Sequence, residues 1–139
     1  MKKCLVGLIG IITFVACFFG VVAASPHFHP GPPGKHGPDE RQLNADAWYV
    51  ISRTWTVLEN AKKIGGENNH FFDLGQDYLT RARTFYMNHV YRDAIFHALR
   101  ARKFLFRAIE ESGESPQPYY YPDERERYYI REGRLEGEF

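Results

Sequence analysis

Beyond residue 24 this 139-residue chain contains no cysteine; its two, Cys4 and Cys17, both precede that point. A disulfide framework is therefore excluded for everything downstream, and the folded part must hold together by its apolar core, which is feasible above about 70–80 residues. Asn-x-Ser/Thr is absent throughout, so no N-glycosylation acceptor exists. Small eukaryotic secreted domains are usually cysteine-rich, and both absences tilt the reading towards a bacterial envelope. Catalytic patterns are missing as well: there is no Ser-His-Asp arrangement, Gly-rich phosphate loop, Cys pair or His-Glu-x-x-His. Glu110 and Glu111 are adjacent, hence on different sides of a helix, and make a poor acid–base pair. The chain reads as non-enzymatic, with no cofactor.

What is present begins with a leader. Met1-Lys2-Lys3 is a short positive segment, Leu5 to Ala24 carries no charge, and Val22 and Ala24 place small side chains where a signal peptidase wants them. Residues 1–24 thus read as a cleaved secretory signal. Two alternatives share the same residues. An apolar stretch of about twenty residues can stay in the bilayer as a membrane anchor through 5–24. Val15-Ala16-Cys17 also faintly resembles a bacterial lipobox, with Phe14 where Leu is usual, which would lipidate Cys17. The expected location is periplasmic or secreted, and a membrane is involved only if the leader is retained.

Residues 25–38 hold five prolines and three glycines and form a tether, since proline lacks the amide donor and glycine is entropically costly to order. From Asp39 the pattern becomes helical. Leu43, Ala47, Val50/Ile51, Thr54, Leu58 and Ala61 recur in steps of three and four, with Trp48 and Trp55 widening that face. Asp39-Glu40 suit a helix start and Lys62-Lys63 followed by Gly65-Gly66 an end, which predicts a helix over roughly 40–64. Asn68-Asn69 caps a second helix with a stripe at Phe71, Leu74, Tyr78, Ala82 and Phe85. Gly75 inside it predicts a close helix–helix approach. After the polar break Asn88-His89, Ala94, Ala98, Ala101, Leu105 and Ala108 predict a third helix at about 90–111, whose small residues let backbones come near. Ser112-Gly113 ends it. The predicted fold is all-α: a three-helix antiparallel bundle over 39–113, behind signal and tether. A Tyr-rich acidic tail follows over 114–139, with one short helix from Asp123 to about Arg131.

Charge is uneven. Residues 81–109 carry Arg81, Arg83, Arg92, Arg100, Arg102, Lys103 and Arg107 against Asp93 alone, whereas residues 110–139 hold four basic and nine acidic side chains. The basic run is either a surface for an anionic partner such as lipid headgroups, or a solvated face partly covered by the acidic tail. No nucleic acid is expected as partner, since export removes the protein from it. His27, His29 and His36 in the tether make a candidate transition-metal site without preorganisation. Pro26 bars the amino-terminal chelate, because that position needs an amide proton. Tyr119-Tyr120-Tyr121 and Tyr128-Tyr129 supply contact area for a partner or pack back onto the helices.

Two resemblances are carried by specific residues. Arg92 with His97, and Arg83 with His89, have an Arg–His spacing similar to that of a family of helical-bundle ribonucleases, which would make His97 essential. Leu74-Gly75-x-x-Tyr78 followed by Tyr91-x-x-Ala94-Ile95 resembles the helix-pair signature of tetratricopeptide repeats over about forty residues, with one copy where a solenoid needs several. That resemblance implies a helical hairpin with a glycine contact. The favoured expectation is a binding module acting on a protein partner in the cell envelope, and the alternative is a metal-handling protein using the histidine tether.

Overall fold

The computed structural model of the chain describes residues 37–135. The leader with Cys17, the tether up to and including His36, and residues 136–139 lie outside the described residues, and with them the histidine site and the processing of the leader.

The regular structure among the described residues is all helical: α1 (Glu40–Lys63), α2 (His70–Met87), α3 (Tyr91–Glu111) and α4 (Glu124–Glu132), with single 3-10 turns at Gly66–Asn68 and Pro118–Tyr120 and no strand. The start of α1 follows from Asp39, whose carboxylate accepts the Gln42 amide at 2.7 Å and so satisfies one of the first-turn donors left without an intrahelical partner. Lys62 and Lys63 occupy its last turn, and Gly65 then takes a left-handed φ of 80°. Asn69 caps α2 through the Phe71 amide at 2.7 Å. The α2–α3 corner is tight, with His89 itself left-handed at φ 61° and the Val90 amide returning to the Phe85 carbonyl at 2.9 Å. Asp123 and Glu126 cap α4 reciprocally, each side chain accepting the other's amide, at 3.0 and 3.2 Å.

The helices alternate in direction. Thr54 meets the Ala98 carbonyl and Gly66 lies against Ala108, so α1 and α3 run the same way. Tyr86 reaches Asn44, so α2 runs opposite to both. The Ala94, Ala98, Ala101, Leu105 and Ala108 stripe is fully buried, as is most of the α1 stripe. At Gly75 an added Cβ would sit 2.7 Å from Leu105 Cγ and 3.2 Å from the Ala101 carbonyl oxygen, which is why only glycine fits where α2 crosses α3.

One expectation needs correction. The buried stripe of α2 is Phe72, Gly75, Leu79 and Ala82, displaced by one residue from the predicted one; Phe71, Tyr78 and Phe85 flank it and stack on α3 through Phe104 and His97. One residue is 100° of helix rotation, and large aromatics on a stripe's flank mimic its centre. Of the two fates open to the tail tyrosines, packing back holds for Tyr120 and Tyr129, which with Ile130 and Leu135 are buried in the same cluster as α1–α3.

Candidate functional site

The side of α1 under α4 is built around buried charge. Arg102, expected on an anionic-partner surface, is completely buried. Its two terminal nitrogens donate to Glu126 Oε1 at 2.7 Å and Oε2 at 2.9 Å, the paired geometry that suits a guanidinium and a carboxylate. Thr54 Oγ1 and the Val50 and Tyr120 carbonyls, at 3.2–3.3 Å, accept its remaining N–H groups. Glu126 is equally buried and takes a further bond from Arg53 at 2.6 Å. Arg53 continues to Asp123 at 2.9 Å and to the Tyr119 and Tyr121 carbonyls. Asp123 also accepts the Tyr49 hydroxyl at 2.5 Å. A few residues away, buried Asp46 accepts from Arg125 and from the Tyr129 hydroxyl, and Glu132 pairs with Arg92.

The electrostatics follow. Burial would raise Asp123, but the Tyr49 hydroxyl, the Glu126 amide and the Arg53 charge outweigh it and hold the carboxyl below its ordinary value. Burial, then the bond to Asp46, pushes the Tyr129 phenol up; burial and the bond to Tyr119 bring Tyr120 to about 12. This cluster fastens α4 and the Tyr119–Tyr121 turn to α1 and α3.

The other predicted basic residues meet different neighbours. Arg81 pairs with Asp77 at 2.6 Å and lies over Tyr78. Arg83 covers the Trp55 ring, 5.6 Å from its centre. Arg92 is engaged by Glu132, Lys103 is half-buried, and Arg100 and Arg107 are exposed. His89 and Tyr91 share a 2.7 Å hydrogen bond. His97 lies between Phe85 and Tyr78, ring centres at 4.8 and 5.6 Å. Its buried Nδ1 has no hydrogen-bond partner among the described residues. Burial first, then the Arg100 and Arg81 charges, lower its pKa. Asp93, Phe96, Arg100, Gly133 and Leu135 complete a hollow of ≈ 200 Å³ beside it.

The opposite face of α1 is different in kind. Trp48 and Trp55, expected to widen the buried stripe, are 60% and 44% exposed. They flank a groove of ≈ 310 Å³ completed by Ile51, Ser52 and Arg83. Trp48 is steadied by Tyr86, ring centres 5.9 Å apart, and Trp55 by the Arg83 guanidinium. Among the described residues no carboxylate lies within ion-pair distance of Arg83. A second hollow of ≈ 180 Å³ adjoins it, lined by Trp55, Lys62, Gln76, Thr80 and Arg83 with Leu58 and Leu79 beneath. This surface offers apolar area, an aromatic pair and two cations, Lys62 and Arg83. The groove is invisible to sequence motifs; its one sequence signal is the seven-residue spacing of the tryptophans.

Among the described residues no three His, Cys, Asp or Glu converge to hold a metal ion, and no helix is long and apolar enough to cross a membrane. No protein-family model matches the chain, and no curated protein or solved structure matches it either.

Proposed function

We propose that the protein is exported and acts as a non-enzymatic binding module in the envelope, through the aromatic face shared by α1 and α2. The leader pattern of residues 1–24 supports the export half of this reading. The binding half is carried by one observation: the only two tryptophans of the chain stand exposed on either side of an apolar groove, with Arg83 on its wall. A protein gains by burying tryptophan, so a contiguous exposed aromatic patch marks an interaction site. Tryptophan and arginine are also the residues that dominate binding hot spots. In this reading α1, α2 and α3 are the three-helix scaffold, α4 braces it from the far side, and the surface needs no cofactor.

The test compares the wild-type protein with a Trp48→Ala/Trp55→Ala variant for retention on envelope fractions of the host, alongside thermal unfolding. The expected result is loss of retention with a drop of only a few degrees in melting temperature. Undiminished retention of the variant would overturn the reading.

A further inference from the structure

Trp48 and Trp55 are seven residues apart on α1. Seven residues fall about 20° short of two full turns, so both rings leave the helix on nearly one bearing, about 10.5 Å apart along its axis. The same bearing, followed in steps of three, four and seven, passes through Arg41, Asn44, Ser52, Glu59 and Lys62. Arg83 and Thr80 of α2 border the same strip. Its centre holds the two indoles with Ser52 between them and Arg83 on the wall, and Arg41 and Lys62 stand at its ends. Glu59 is the one carboxylate on that strip, and Lys62 neutralises it at 3.4 Å. Arg41 and Arg83 have no carboxylate within ion-pair distance among the described residues, so the strip keeps a positive excess.

Both indoles are exposed on one side of α1, with Arg41, Lys62 and Arg83 beside them. Exposed tryptophans with arginine and lysine alongside are what an interfacial helix presents to lipid: the rings sit among the headgroups and the cations reach the phosphates.

We propose that this strip docks on an anionic lipid surface of phosphatidylglycerol type, with α1 lying parallel to the membrane plane. The proposal rests on the reading that this face is the binding face, and names its partner. Surface attraction of this kind amounts to about 1 kcal/mol per basic residue, or about fivefold in partitioning, and is screened by salt.

Both tryptophans of the chain lie on this face, so their fluorescence reports docking there whatever the leader does. The experiment adds the full chain to phosphatidylcholine vesicles and to vesicles with roughly one-third phosphatidylglycerol, each with and without brominated acyl chains. Docking predicts a blue shift and bromine quenching with the anionic vesicles only, reversed by high salt. It also predicts partitioning about fivefold weaker for Arg83→Gln, and unchanged for Arg107→Gln on the outer side of α3. Emission that ignores the anionic vesicles, or responds equally to both lipids and to neither substitution, would overturn the proposal. If the double tryptophan variant loses envelope retention while the wild type ignores phosphatidylglycerol, the lipid assignment falls and the binding face stands.

Discussion

Arg102 and Arg83 belong to the same basic run, nineteen residues apart, and finish in opposite surroundings. Arg102 is sealed under α4, with both edges of its guanidinium occupied by Glu126, Thr54 and two carbonyls. Arg83 lies against an exposed indole, with no carboxylate within ion-pair distance among the described residues. Around Arg102 every charge has an internal partner, and the α4 side behaves as structure. Around Arg83 the aromatic area and the charge are left open, and the α1–α2 face is available to something else. Position along the sequence does not separate the two arginines; what each one's neighbours supply does.

The sharpest way to break the comparison is to remove one member of the buried pair. Glu126→Ala should cost about 3–5 kcal/mol in urea unfolding, because it leaves Arg102 buried without a carboxylate, and Arg102→Ala somewhat less, because Glu126 keeps Arg53. Replacing both, as Arg102→Met with Glu126→Leu, should recover most of that loss. A double variant no better than the singles would show that pairing is not the source of the cost. Next in size is Gly75→Ala, where overpacking against Leu105 costs about 1–3 kcal/mol and helix propensity returns about 1 kcal/mol. The net should be a loss, read as a lower midpoint in denaturant.

Two titrations sharpen the picture at lower amplitude. His97 has a lowered folded-state pKa, so the folded state resists its protonation. Its contribution is complete above the unfolded value of about 6.5 and is lost as the pH falls below it. His97→Phe should flatten the stability curve in that range. Asp123 is held low as well. Its contribution is complete above the unfolded value of about 3.9 and is lost as the pH falls through the lower folded value. Asp123→Asn should remove that acid limb. The smallest effect belongs to the open face: Trp48→Ala should change stability by only about 0.5 kcal/mol, as surface substitutions do.

Helix positions were legible because they rest on local chemistry: Asp39, Asn69 and Asp123 as caps, Gly113 past the end of α3, and the alanine stripe that lets α3 pack at close range. What was not legible depends on which way a borderline residue turns. Trp48 follows buried Ala47 by 100° of rotation, and hydrophobicity alone assigns it inward. Arg102 carried a signal that its charge concealed: it sits at helical spacing from Leu99, Leu105 and Phe106, all buried, so it lies within the apolar stripe of α3. Glu126 stands likewise three and four residues before buried Tyr129 and Ile130. Pairing across 24 residues cannot be read from either segment alone, which is why Arg102 read as a surface cation and Glu126 as one carboxylate of an acidic tail.

Because both tryptophans of the chain lie on the open face, the emission spectrum of the folded protein, free in solution, tests the contrast most directly. The account predicts red, water-like emission, ready quenching by acrylamide, and little further red shift on unfolding. Blue emission shielded from acrylamide, moving strongly to the red on unfolding, would place the tryptophans inside the core and contradict it.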